Sequence, residues 1–135
     1  MKPLPPYALF LGIGTRREQG ELQFVMPFGD RVIGRPGYLH GGAIAGLLEI
    51  AAIGAIKEAL GDEDEVSVKP VNVTVSFMRG GAQHDTYAAA TVTRLGNRVA
   101  NVEAHAWQLD RAKPIASAQM NVMLRRNRTQ ASGSN

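Results

Sequence analysis

The chain contains no cysteine, and aromatic residues make up only 6% of its 135 residues. Without cysteine it has no disulfide, no thiolate nucleophile and no cysteine-ligated metal site. Two of its histidines, His84 and His105, lie far apart in the sequence and lack metal-ligand spacing. We therefore predict neither a metal nor a redox cofactor. The absence of cysteine is compatible with the cytoplasm, where we expect the protein to be located.

The net charge is also small, +3 at pH 7, so the chain is only mildly basic. A nucleic-acid surface would need a denser basic stripe with interleaved aromatic residues, so the composition argues against nucleic acid. The longest apolar run is interrupted by a glutamate and is shorter than the roughly 20 residues of a membrane span. Three prolines among the first six residues break any signal-peptide core. We expect one soluble domain over residues 1–125, followed by a polar, disordered tail at 126–135.

The rest of the chain is organised around the apolar run that follows Leu39-His40-Gly41-Gly42. Between residues 43 and 56 nearly every side chain is apolar or glycine, and the single charge is Glu49. A helix that is apolar all round is buried on every side, where a bare carboxylate is strongly unfavourable unless something compensates. Glu49 therefore either meets a structural partner or a solvent channel, or acts as a general base or nucleophile whose pKa is raised by burial.

Turn residues and hydrophobic periodicity divide the chain into elements. Gln19-Gly20 joins two short strands into a hairpin, and Gly96-Asn97 joins two longer ones. Pro70 separates two stretches of opposite apolar parity, which indicates a bulge. The predicted elements are a short helix at 5–11, strands at 13–18 and 21–26, a helix at 41–60, and strands at 66–77, 86–95, 98–109 and 115–124. This order predicts an α+β fold in which an antiparallel sheet is wrapped around one long central helix.

Three motifs together resemble a known family. The first is His40-Gly41-Gly42 with an acidic residue, Glu49, nine positions after the histidine. The second is Val-x-Val-x-Phe-Met-Arg at 73–79, and the third is Arg-Leu-Gly-Asn-Arg at 94–98. The combination, over roughly residues 5–125, resembles the hotdog-fold thioesterases of the phenylacetate-degradation (PaaI-type) branch.

This resemblance implies the hotdog fold and hydrolysis of an acyl-CoA thioester, with coenzyme A present only as part of the substrate. It also implies a homodimer whose sheets join edge to edge, paired further into a homotetramer. Gly41 would offer its backbone N–H to the thioester carbonyl, and Glu49 would act as general base or nucleophile. His40 would orient the loop or touch the carbonyl, although a histidine before a helix also serves as a capping or packing residue.

Further positions are candidates for substrate binding. Polar side chains alternate with apolar ones along the strand that follows the central helix, and they could face the substrate. Arginine suits the phosphates of CoA because its guanidinium can form paired hydrogen bonds with phosphate oxygens. Ordinary solvation is the alternative for each of them. These candidates are Gly42, Asn72, Thr74, Arg79, Arg94 and Arg98.

Helix geometry predicts a site between two subunits. Nine residues at about 100° each place Glu49 on the opposite side of the helix axis from His40 and some 13 Å along it. Two antiparallel helices across a twofold axis can bring Gly41 of one chain to Glu49 of the other, which yields two equivalent sites.

The sequence departs from the family at Gly34, six residues before His40, where relatives commonly carry Asn or Gln. The proline usual after Arg79 is also replaced by glycine. We expect an acyl-CoA thioesterase acting on a small aromatic or short to medium-chain acyl group. The alternative is a non-catalytic acyl-CoA binding or sensing protein of the same fold, because glycine has no side chain to position the carbonyl or the attacking water.

Overall fold

One antiparallel sheet of six strands, in the order β1-β2-β4-β5-β6-β3, curls around a central helix. The computed structural model describes residues 4–61 and 65–126. The helices are α1 (Pro6–Leu11) and α2 (Gly41–Leu60), and the strands are β1 (Gly14–Glu18), β2 (Glu21–Met26), β3 (Val66–Phe77), β4 (Thr86–Leu95), β5 (Val99–Trp107) and β6 (Ala116–Arg126). The predicted α+β hotdog architecture, an antiparallel sheet around one long helix, is confirmed.

Local sequence chemistry explains the turns. Gln19 and Gly20 have φ values of 52° and 83°, the left-handed conformation that a tight hairpin turn requires between β1 and β2. Strands β4 and β5 pair antiparallel on either side of Gly96-Asn97. The register of β3 against β6 shifts between Pro70 and Asn72, so the bulge predicted at Pro70 is confirmed.

Strand β3 forms one edge of the sheet, with β6 as its neighbour. Its side chains remain largely exposed on both faces, and Val71 and Phe77 are each 56% exposed. An edge strand presents a row of unpaired backbone groups to solvent or to another chain. The single chain therefore leaves an apolar strand edge uncovered.

The core lies between α2 and the inner face of the sheet. Alanine dominates the inner positions of the central strands, which lets the helix backbone approach the sheet closely. The buried inner alanines are Ala88, Ala100, Ala104, Ala106, Ala116 and Ala118. The expectation that α2 is buried on every side is wrong for the single chain, because the sheet covers only one side. Glu49, Ile50 and Ile53 on the other side are half-buried.

One sequence prediction reaches beyond the described residues. The predicted tail falls on 126–135, of which only Arg126 is described and belongs to β6. Among the described residues, no helix is long and apolar enough to cross a membrane.

Candidate functional site

The first turn of α2 is capped by the histidine that precedes it. His40 Nδ1 accepts a hydrogen bond from the Gly42 N–H at 2.8 Å, and the His40 carbonyl accepts from Ala43 and Ile44 at 3.0 and 3.2 Å. A Cβ on Gly42 would come within 2.9 Å of His40 Nδ1, so the cap requires glycine there. His40 thus has the capping role that was one of its two predicted alternatives, and the Gly42 N–H is already engaged.

The Gly41 N–H is the donor left over at this helix end. Within residues 4–61 and 65–126 it makes no hydrogen bond, and Gly41 is exposed. The ring of Phe77 flanks it, since a Cβ on Gly41 would lie 3.6 Å from the ring atoms Cε1 and Cζ. An unpaired N–H at the positive end of a long helix can stabilise a developing oxyanion.

A tightly folded loop holds His40 at the helix start. The His40 N–H donates to the Val32 carbonyl at 2.7 Å, and the Gly34 N–H donates to the Tyr38 carbonyl at 3.0 Å. A Cβ on Gly34 would lie 3.0 Å from His40 Cα, tighter than an ordinary contact. A side chain at position 34, such as the Asn or Gln expected from the family resemblance, would therefore require His40 to shift by a few tenths of an ångström.

Glu49 lies on the open side of α2. Its half-buried side chain lines a groove of about 840 Å³ together with Gly46, Ile50 and Ile53 from the same helix. In the described parts of the chain its carboxylate makes no hydrogen bond and no ion pair, so the structural partner considered from the sequence is not found there. Eight residues separate Glu49 from Gly41, which is about 12 Å along the helix axis.

Asn72 and Thr74 lie on the outer face of the sheet, away from α2. Asn121 donates to Asn72 Oδ1 at 3.0 Å and in turn accepts from Asn101, so a ladder of amides crosses β3, β6 and β5. Thr74 pairs with Gln119 in the same outer row. In one chain these two predicted substrate-binding residues are not brought together with Gly41 or Glu49.

The three predicted arginines are all exposed but lie at opposite ends of the sheet. Arg79 follows β3 at the end beside Gly41, and its N–H donates to the Ile115 carbonyl at 3.2 Å. Arg94 and Arg98 flank the β4–β5 turn at the end where α2 terminates. The length of the sheet therefore separates Arg79 from the other two.

Glu21 and His105, whose pKa values are both lowered, belong to a cluster on the outer face. Arg111 forms paired hydrogen bonds with Glu21 at 2.7 and 2.8 Å, donates to His105 Nε2 at 3.0 Å and lies 4.4 Å from the Trp107 ring centre. The hydrogen bonds from Arg111 lower the pKa of Glu21 to about 2. Burial, followed by the charge of Arg111, lowers the pKa of His105. Among the described residues, no group of three or more potential ligands is placed to hold a metal.

Sequence reasoning missed Tyr7, which lines the groove together with Glu49. A Cβ on Gly46 would lie 2.7 Å from Cε2 of the Tyr7 ring, so this ring is packed against the helix backbone. The available signal was Gly46 itself, because glycine is unfavourable inside a helix unless a close contact requires it.

Comparison with known proteins places this site in context. Residues 36–115 match the model of the thioesterase superfamily, a segment that contains every predicted site residue. Over 98 residues, which is 70% of the chain, the sequence is 30% identical to a candidate esterase of Halobacterium salinarum. The match spans 64% of that relative's length.

Two solved structures show the same fold. A candidate thioesterase of Ralstonia eutropha, related to phenylacetic acid degradation, is 26% identical with a TM-score of 0.76, over 90% of this chain and 92% of that one. A Bacillus halodurans protein solved with CoA is 22% identical with a TM-score of 0.77, over 90% of this chain and 80% of that one.

Proposed function

The chain belongs to the thioesterase superfamily, and on that premise we propose that it hydrolyses acyl-CoA thioesters with a small aromatic or short to medium-chain acyl group. The observation that carries the proposal is a pair of unpartnered groups on one helix. Within residues 4–61 and 65–126, the Gly41 N–H and the Glu49 carboxylate both lack a partner, and both reach solvent. A donor for an oxyanion and a carboxylate for proton transfer are the groups that thioester hydrolysis needs.

The chemistry assigns one role to each group. Attack on the thioester carbon builds negative charge on the carbonyl oxygen, and the Gly41 N–H stabilises that charge. Glu49 either takes a proton from the attacking water and passes it to the leaving thiolate, or attacks the carbonyl itself. In the second route the C–S bond breaks, the CoA thiolate leaves and is protonated by solvent, and water then cleaves the resulting anhydride to the free acid and the Glu49 carboxylate. His40 positions Gly41 by capping the helix start.

A second copy of the chain completes the site. The two groups are about 12 Å apart along one helix, whereas both must contact a single carbonyl group. In an antiparallel pair of α2 helices, Gly41 of each chain faces the partner subunit's Glu49. The exposed edge of β3 supports this dimer, because it is an apolar surface that the single chain leaves uncovered. By family resemblance, the dimers pair further into a homotetramer.

CoA esters are the first substrate class to test, because a protein of the same fold is seen with CoA. Arg79 is the best placed of the three arginines to meet the phosphates, since it lies at the end of the sheet beside Gly41. Arg94, Arg98, Gly42, Asn72 and Thr74 remain candidates for binding, and Asn72 and Thr74 would have to act from the outer face.

A thiol-release assay over aromatic, short-chain and long-chain CoA esters tests the proposal. Glu49→Gln should lower turnover by about 10²–10⁴-fold, because it removes the proton acceptor while keeping the shape of the side chain. Glu58→Gln is the matched control, since Glu58 lines the same groove from the same helix but is paired with Arg17. Wild-type activity in a folded Glu49→Gln dimer would refute the assignment.

A non-catalytic acyl-CoA binding protein is the second candidate, and the packing at Gly34 favours it. Gly34 packs closely against His40 and has no side chain, so the helper amide of relatives has no direct replacement at that position. Titration calorimetry that shows tight binding of a CoA ester without thiol release would select this candidate over the enzyme.

A further inference from the structure

Tyr7 occupies the space that a side chain at Gly46 would fill. A Cβ on Gly46 would lie 2.7 Å from Cε2 and 3.2 Å from the hydroxyl oxygen of the Tyr7 ring. Glycine is unfavourable in a helix interior, so its presence here is explained by this approach of an aromatic ring to the helix backbone.

The position of Tyr7 is fixed by the short helix α1 that carries it. Ala8 and Leu11 of α1 are buried, and the Ile13 N–H donates to the Ala8 carbonyl at 2.9 Å. Tyr7 itself is 51% exposed, and its hydroxyl makes no hydrogen bond within residues 4–61 and 65–126. The ring is therefore held in place from one side and remains free to contact a ligand on the other.

The free side of the ring faces the groove that contains Glu49. Gly46 and Glu49 are three residues apart and lie on the same face of α2, about 4.5 Å apart along its axis. Ile50 and Ile53 extend the apolar floor of this groove, whose volume of about 840 Å³ is in the range of small-molecule sites. An aromatic wall thus stands one helical turn from the carboxylate.

We propose that Tyr7 determines the size of the acyl group that the site accepts. The inference rests on the proposed function, since Glu49 marks the position of the thioester. With the ring packed on Gly46, an aromatic face forms one wall of the groove beside the carboxylate, which suits one aromatic ring or a short chain. Removing the ring widens the groove beside Gly46, next to Leu4 and Pro5, which also line it.

The test compares kcat/KM for dodecanoyl-CoA with that for phenylacetyl-CoA in wild type, Tyr7→Ala and Tyr7→Phe. In Tyr7→Ala the ratio should rise at least about tenfold, the effect expected when apolar pocket size changes by a methylene or more. Tyr7→Phe should keep the wild-type ratio, because the ring and not the hydroxyl forms the wall. Leu9→Ala is the matched control, since Leu9 is exposed on the same helix and does not line the groove.

An unchanged ratio in Tyr7→Ala, or an equal rise in Leu9→Ala, would overturn the role of Tyr7. If Tyr7→Ala does not fold, Tyr7→Leu serves for the same comparison, because leucine keeps the contact with α2 and shortens the wall. The two proposals fail differently. A wild-type protein that releases thiol from no ester refutes the proposed function and this inference with it, whereas an active wild type with unchanged ratios refutes only the inference.

Discussion

Gly54, near the middle of α2, offers a sharp test of how the helix packs on the sheet. A Cβ at this position would lie 2.4 Å from Cζ and 2.9 Å from Cε1 of Phe24. Phe24 is only 3% exposed and belongs to the core, so its ring has little freedom to move away. We predict that Gly54→Ala destabilises the protein, although the same substitution in an exposed helix is stabilising.

Two opposing effects set the magnitude. Alanine favours the helix over glycine by about 0.8–1 kcal/mol. Overpacking a filled core costs about 1–3 kcal/mol. Because the new Cβ would lie 2.4 Å from the buried Phe24 ring, we expect a cost in the upper part of that range. The expected net loss is about 1–2 kcal/mol, which corresponds to a fall in Tm of roughly 4 °C or more for a chain of this size.

Gly46→Ala is the matched comparison, because its Cβ would also meet an aromatic ring. That ring belongs to Tyr7, which is 51% exposed and therefore yields more readily than the buried Phe24, so we expect a smaller fall in Tm than for Gly54→Ala. Gly54→Ala combined with Phe24→Leu should lose less stability than the sum of the single variants, since the clash is removed. Thermal melts by circular dichroism at one fixed protein concentration provide the measurement, because association shifts Tm. A rise in Tm for Gly54→Ala would refute the packing argument.

Two pH predictions follow from the outer-face cluster. Arg111 lowers the pKa of Glu21 to about 2, so the contribution of this pair to stability is present above the ordinary pKa near 4.5 and is lost as pH falls toward 2. Glu21→Gln should therefore reduce the dependence of Tm on pH between 4.5 and 2. An unchanged pH dependence of Tm in this variant would contradict the pairing. The pKa of His105 is lowered by burial, so the unfolded chain binds more protons and stability declines as pH falls below about 6.5. His105→Gln keeps a hydrogen-bond acceptor for Arg111 and should remove the decline of Tm below pH 6.5. If Tm of this variant declines as in the wild type, His105 is not the cause.

Elements governed by local chemistry were predictable from the sequence. The Gln19-Gly20 turn, the bulge at Pro70 and the limits of α2 at 41–60 were each predicted and found, because left-handed φ values, a missing N–H and helix caps act over a few residues. The motifs at His40 and Glu49 also indicated the thioesterase family, which the match over 36–115 confirms. The catalytic and binding roles of these residues stay predictions.

Contacts between distant segments were not predictable in the same way. The sequence indicated a polar row at Asn72 and Thr74, but only the pairing with β6 shows that this row faces away from α2. Gly34 looked like a missing catalytic helper, whereas the fold shows that His40 packs directly against it.

The sequence by itself determined the order of elements, the long apolar helix and the lone carboxylate within it, because periodicity, caps and turns depend on neighbours along the chain. Only the tertiary structure decided that Glu49 opens into a groove and that Tyr7 stands beside it. It also decided which apolar surfaces one chain leaves uncovered. These features depend on contacts between residues of α1, α2 and β3 that are distant in the sequence. Those contacts form because the sheet curls around one side of α2.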